Sequence, residues 1–246
     1  MFFLVSHKYK FLLGWSAKCG CSTVKNWYLG VHGVDTSQLD MPVYKLIGHG
    51  KTKYTRVAWG KPELYGDYRK YAVVRNPYSR IVSGFVNKYV LEYNLPNGGW
   101  FTFDQFLQML YRDAEFKTVD KHHFTHQFSE HYHAFERSGF EFDLVIRLEN
   151  LEDGLRSISA NHGISDFYME TFNKTDYGTS SETYLNVADR QLDQFDKENI
   201  PPFQYFYSPS SIASVRSIYA KDFELLEALG IFYEKPLSRR AVQSLR

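Results

Sequence analysis

Residues Phe11 to Trp27 read Phe-Leu-Leu-Gly-Trp-Ser-Ala-Lys-Cys-Gly-Cys-Ser-Thr-Val-Lys-Asn-Trp, and this stretch constrains the fold more than any other. The apolar run from Phe11 to Trp15 has strand length and stops at Ser16. Small residues then surround one charge, Lys18, before Val24, Trp27, Tyr28 and Val31 recur at helical spacing. The order is strand, tight loop, helix. Backbone N–H groups in the first turn of a helix lack intrahelical acceptors and carry the positive end of its dipole. The end of such a loop is therefore a seat for a phosphate or sulfate. Gly20 allows close backbone approach between Cys19 and Cys21, Ser22 and Thr23 add hydroxyl donors, and Lys18 supplies a full positive charge. The segment is not a Walker A loop, because its lysine precedes the glycine. Read alone, it is equally an ordinary small-residue turn into a helix.

A second stretch adds to the anion reading. Tyr71 to Val74 is a buried-type strand, Asn76 is a helix cap and Pro77 suits a first turn. Tyr78, Ile81, Val82, Phe85 and Tyr89 then form one apolar stripe. Arg75 falls at the strand's carboxyl end, where open α/β sheets bind ligands. Ser83 lies about two turns into the helix at a rise of ~1.5 Å per residue. A long arginine and a serine hydroxyl so spaced can converge on one phosphate.

The remaining pattern predicts one α/β domain spanning 1–246, with an open, mostly parallel sheet and helices on both faces. Phe2 to Val5 reads as an edge strand, Val43 to Ile47 as a strand and Phe142 to Ile146 as another. Gly48-His49-Gly50 then places a histidine at a strand end, either as a polar turn residue or as a catalytic group where glycines let a substrate approach. Thr102 to Gln105 is a capping box opening a helix with Phe103, Phe106, Leu107 and Leu110 on one face. Residues 173–181 read as a polar lid. Ser208-Pro209 opens a long helix with Ile212, Val215, Tyr219, Phe223 and Leu226 inward and Gly230 at its end. The run from His122 to His133 is rich in histidine, and His122 and His126 would share a helical face. It holds no complete ligand signature such as His-Glu-x-x-His, so no metal is expected.

Composition sets the outer bounds. A net charge of +1 argues against a broad nucleic-acid footprint. The 20 Phe and 19 Tyr serve equally to fill cores and to stack on bases or sugar faces. The two cysteines, Cys19 and Cys21, lack Cys-x-x-Cys spacing and have no others to pair with, so a reducing compartment is expected. Met1 to Val5 is too short for a signal segment, and no apolar run approaches the ~20 residues of a membrane span. A cytoplasmic protein without membrane association is the expectation.

With both anion stretches in view, the chain resembles the sulfotransferases that use 3′-phosphoadenosine 5′-phosphosulfate, in particular their carbohydrate sulfotransferase branch. Lys18-Cys-Gly-Cys-Ser-Thr23 is similar to that family's Pro-Lys-x-x-Cys-Ser/Thr-Thr loop for the 5′-phosphosulfate, with Ala17 in place of the proline. Arg75-Asn-Pro-Tyr-Ser-Arg-Ile-Val-Ser83 matches its Arg-Asp/Asn-Pro-x-x-Arg-x-x-Ser segment for the 3′-phosphate. His123-Phe-Thr-His-Gln127 is similar to a His-Trp-x-Pro-Gln element, Phe142 to Leu151 to a Tyr-Asp-Phe-Val-x-x-Glu-x-Leu strand and turn, and Tyr219 to Phe223 to a Tyr-x-x-Asp-Phe helix. The likeness is scattered over nearly the whole chain, in order. It lacks the membrane anchor and lumenal cysteines of Golgi members and so resembles a soluble, bacterial-type version.

The resemblance implies a P-loop-like fold and metal-free transfer of a sulfuryl group to a hydroxyl or amine of a carbohydrate or other small acceptor, releasing adenosine 3′,5′-bisphosphate. Lys18 then stabilises the leaving nucleotide, Cys19 to Thr23 hold the phosphosulfate, and Arg75 and Ser83 grip the 3′-phosphate. His49 lies in the interval where some members place their catalytic base, with His123 and His126 as competitors or substrate contacts. Lys25, further along the helix, is expected to matter less than Lys18. Two other readings stand beside this one: a kinase-like phosphotransferase, and a nucleotide- or glycan-binding module without turnover.

Overall fold

The computed structural model describes residues 1–40, 42–47, 56–95, 99, 101–129, 131–165 and 187–236. The chain divides into two compact units, each assembled from two stretches of sequence: Met1–Arg75 with Gln127–Lys174, and Asn76–His126 with Thr175–Arg246. Each has its own hydrophobic core.

The first unit carries a four-stranded open sheet, β1 (Phe2–Ser6), β2 (Phe11–Trp15), β3 (Arg69–Val74) and β4 (Leu144–Arg147), hydrogen-bonded in that order. β1 is an antiparallel edge, pairing Phe2 with Trp15 and Ser6 with Phe11. The β2–β3 and β3–β4 pairs are parallel, with Leu13 opposite Tyr71 and Tyr71 opposite Leu144. The fold is therefore α/β with a mostly parallel sheet, as expected. Every residue of β2 is buried, which suits the continuous apolar run of a strand covered on both faces. Asp143 pins the entry of β4 to β3: its carboxylate accepts from the Lys70 backbone N–H at 2.7 Å and from Arg69 at 2.5 Å. Helices α1 (Cys21–Val31) and α7 (Leu151–Asn161) supply Val24, Trp27, Tyr28, Leu155 and Ile158 to this core, and Val43 and Leu46 of α2 (Val43–Leu46) pack against it.

Val43 to Ile47, expected as a strand, is the short helix α2 instead. A five-residue apolar run is too short for periodicity to separate the two states. Pro42 immediately before it, at φ −59°, sets up a first helical turn. Gly48-His49-Gly50 thus follows a helical turn rather than a strand end, and His49 itself lies outside the described residues.

The second unit is helical. α3 (Pro77–Phe85) is capped by Asn76, whose side chain accepts from the Tyr78 N–H at 3.0 Å, and runs on into a π-helical turn, Val86–Leu91. α4 (Phe103–Arg112) opens with both bonds of the expected capping box, Gln105 N–H to Thr102 Oγ1 at 3.2 Å and Thr102 N–H to Gln105 Oε1 at 2.9 Å. The helix expected from Ser208 forms as two, α8 (Pro209–Ile218) and α9 (Ala220–Ala228). They break at Tyr219, which leaves helical geometry with φ −108° and ψ 29° while its hydroxyl donates to the Phe124 carbonyl at 2.6 Å. The predicted inward set, Ile212, Val215, Tyr219, Phe223 and Leu226, is buried throughout.

Aromatic residues fill this second core. Phe85 alone meets Tyr89, Phe101, Phe103, Phe106 and Phe206, mostly edge to face. Such pairs contribute about 0.5–1.5 kcal/mol each beyond their buried area. Much of the aromatic content thus has a structural role. The predicted lid at 173–181 and the chain beyond 236 lie outside the described residues. Among the described residues no helix is long and apolar enough to cross a membrane.

Candidate functional site

The loop between β2 and α1 is built by two left-handed residues. Lys18 has φ 63° and Gly20 has φ 70°. A lysine in that region costs of order 1–3 kcal/mol unless its surroundings over-determine it. Here they do. The Cys19 N–H donates to the Ser16 carbonyl at 3.1 Å, closing a tight turn, and the Arg75 guanidinium donates to the Lys18 carbonyl at 2.8 Å. Gly20 is required twice over. Its φ favours glycine, and a Cβ there would stand 2.7 Å from Leu148 Cδ1 and 2.9 Å from Leu151 Cδ2.

Gly20 is the N-cap of α1, and its carbonyl accepts the first helical bond from Val24 at 3.0 Å. Gly20 has no side chain with which to cap the helix, and no acidic residue stands in its first turn. A helix start left in this state presents N–H donors and a positive dipole end to an incoming anion. Cys19 is fully buried, Thr23 is buried, and Lys18, Cys21 and Ser22 are half-buried.

Gln127 ties the two anion stretches together. Its side-chain amide brackets the backbone of Arg75, accepting from the Arg75 N–H at 3.1 Å and donating to the Arg75 carbonyl at 2.9 Å. The same Oε1 accepts from the Cys19 thiol at 3.6 Å, and the Gln127 carbonyl accepts from Ser16 Oγ at 2.6 Å. Gln127 is fully buried. One glutamine thereby sets the loop and the carboxyl end of β3 in a single arrangement, with Arg75 gripping the loop from the same side. In sequence Gln127 appears only as the last residue of a short motif, with no role attached. A buried glutamine is not distinguishable there from a surface one.

Lys25, on the second turn of α1, is buried. It is 2 % exposed, with its Nζ 3.8 Å from the centroid of the Trp15 ring. Burial pushes its ammonium below the ordinary lysine range, and Cys21 opposes that only in part.

Ser83, His123 and His126 belong to the second unit. Ser83 is buried within α3. His123 closes the short helix α5 (Lys121–Phe124), with Nδ1 2.8 Å from Asp120, whose carboxylate also lies 3.6 Å from Lys88. The His123 hydrogen bond holds the Asp120 carboxyl far below the usual range, against the opposing effect of its burial. His126 falls after this helix has ended, so it shares no helical face with His122. Its Nδ1 is buried 3.9 Å from the fully buried Asp222. Burial lowers the His126 pKa and Asp222 works against that, while Arg80 and Lys221 reinforce the lowering. His126 is accordingly neutral near pH 7. Among the described residues no group of three or more His, Cys, Asp or Glu is placed to hold a metal ion.

The structure thus brings Lys18, Cys19, Gly20, Cys21, Ser22, Thr23 and Arg75 into one cradle in the first unit. No curated protein and no solved structure matches the chain. The model of the Sulfotransferase family matches residues 2–227, which takes in the cradle, both cores and most of the chain. The chain belongs to the sulfotransferase family, whose members transfer sulfuryl groups.

Proposed function

We propose that the protein moves a sulfuryl group from 3′-phosphoadenosine 5′-phosphosulfate to a hydroxyl or amine of a carbohydrate or other small acceptor. One observation carries the reading: a lysine-bearing, left-handed turn delivers the chain through Gly20 onto a helix start with no acid in its first turn. A donor set of N–H groups, hydroxyls and one ammonium suits a phosphosulfate, and the glycine whose Cβ would strike Leu148 and Leu151 keeps the cradle in shape. When bound, the nucleotide supplies the sulfuryl group and a phosphate leaving group.

The chain's own residues do the rest. Lys18 meets the charge that grows on the leaving oxygen, which is where a fixed cation lowers a barrier most. Cys19 to Thr23 orient the phosphosulfate through the backbone and the Ser22 and Thr23 hydroxyls. The Arg75 guanidinium carries five donors, one of which goes to the Lys18 carbonyl. With Ser83 it takes the 3′-phosphate. His49 removes the acceptor's proton, and His123 and His126 serve acceptor binding. The two units act together as one sulfotransferase domain, a reading supported by the unbroken family match across segments of both.

Calorimetry tests the donor. Adenosine 3′,5′-bisphosphate is expected to bind more tightly than AMP by at least about tenfold, since a charge-assisted hydrogen bond contributes roughly 1.5–3 kcal/mol. ATP is expected to bind less well than the bisphosphate. Equal affinity for the bisphosphate and AMP would remove the 3′-phosphate site, and a preference for ATP would replace this reading with phosphoryl transfer.

A further inference from the structure

Lys25 is a buried ammonium that no carboxylate among the described residues balances. It is 2 % exposed and makes no hydrogen bond or ion pair with any described residue. Helical side chains lean toward the N-terminus, and residues four apart share a face. Lys25 therefore runs back toward Cys21, the first residue of α1. Its Nζ comes to rest over Trp15, the last residue of β2 and the root of the Lys18 loop. Of the groups packed on it, β2 offers the uncharged Trp15 ring, and Cys21 of its own helix is the titratable group whose charge acts on it.

Burying a charge is costly unless it is paired, and an aromatic face offsets only part of that cost. The same helix start has a cap residue, Gly20, without a side chain and no acid in its first turn. Two independent features at one place, a buried cation that no described carboxylate balances and a helix start with no acid in its first turn, suit the same anionic partner.

We propose that Lys25 is the counter-charge for the anionic group held by the Lys18 loop and the N-terminus of α1, and that Lys25 takes up a proton as that group binds. The inference rests on reading the loop as the seat of the donor's phosphosulfate. The balance is simple: where the Nζ is neutral, its lone pair accepts one proton from solvent, and the anion neutralises the ammonium so formed. Burial lowers the pKa in the anion-free protein and the anion raises it again. Affinity therefore falls as pH rises through the lowered value, and proton uptake is greatest between that value and the ordinary lysine range.

The test is calorimetry of the full chain with adenosine 3′,5′-bisphosphate, from about neutral pH to about pH 10, in buffers of different ionisation enthalpy. The wild-type protein is expected to take up a proton on binding, increasingly so toward alkaline pH. Lys25→Met should bind at least about tenfold more weakly near neutral pH, with no Lys25-linked proton uptake. Thermal melts separate this from a packing role. The anion-free Lys25→Met protein is expected to melt at or above the wild-type temperature, because an unbalanced buried charge has been removed.

Binding without proton uptake at any pH, or Lys25→Met affinity equal to wild type, overturns the inference while leaving the donor reading intact. If the wild-type protein does not bind the bisphosphate, the donor reading fails, and inorganic pyrophosphate becomes the probe. Lys25-dependent proton uptake with pyrophosphate sustains the counter-charge role without the nucleotide. No binding of either overturns both. Should Lys25→Met fail to fold, the wild-type buffer comparison decides alone.

Discussion

Lys18→Ala is expected to lower turnover by roughly 10²–10³-fold, the range found when one preorganised donor is removed from a developing anion. The argument runs from backbone to charge. Lys18 sits at φ 63°, held by the Arg75 bond to its carbonyl and by the turn that closes on Ser16. An alanine occupies that conformation no less well than a lysine, so the loop should keep its shape and lose only the ammonium. The effect belongs mainly in the rate at saturating donor, because the charge being met grows in the transition state. Steady-state kinetics with affinity measured separately checks this. A Lys18→Ala protein with near-normal turnover would place the catalytic cation elsewhere.

The second large effect concerns the base. His49→Ala is expected to lower turnover by roughly 10²–10⁴-fold and to leave bisphosphate affinity almost unchanged, as removal of a general base does. The wild-type rate should fall as pH drops through the histidine's pKa, near ~6.5 if unperturbed. The other two histidines are informative controls because their surroundings are known. His123 is committed to Asp120, and His126 is held neutral beside Asp222. If His126→Ala abolishes turnover and His49→Ala is silent, the base is the imidazole that Asp222 faces. If none of the three matters, a carboxylate takes the role.

Local chemistry was legible in the chain. The strand, loop and helix around Lys18, the Asn76 cap with Pro77 behind it, and the Thr102 to Gln105 capping box each depend on residues within a few positions of one another, and each formed as read. What depends on distant residues was not. Val43 to Leu46 is helical although its composition suits a strand, because Pro42 starts a turn and Ile47 is needed in the core beside α1. The break between α8 and α9 follows from a hydroxyl reaching across 95 positions to the Phe124 carbonyl. The division into two units leaves no linker signature, since each unit is stitched from two segments.

The site shows the same split. Lys18, Gly20 and Arg75 announce themselves by residue type, but their assembly depends on Gln127, 52 positions beyond Arg75. Lys25 is buried with its Nζ over the Trp15 ring, a contact that joins the end of β2 to the second turn of α1. Neither fact is visible without the sheet in place.

The central claim is sulfuryl transfer from a 3′-phosphorylated donor, and one measurement addresses it directly. The purified protein is incubated with 3′-phosphoadenosine 5′-phosphosulfate, a panel of hydroxyl- and amine-bearing acceptors and a metal chelator. Nucleotide release and the exact mass of every acceptor are then read together. The account predicts one adenosine 3′,5′-bisphosphate for each acceptor that gains a sulfuryl group, undiminished by the chelator and lost in Lys18→Ala. A phosphoryl gain from ATP, or bisphosphate binding with no sulfuryl gain on any member of the panel, would contradict it.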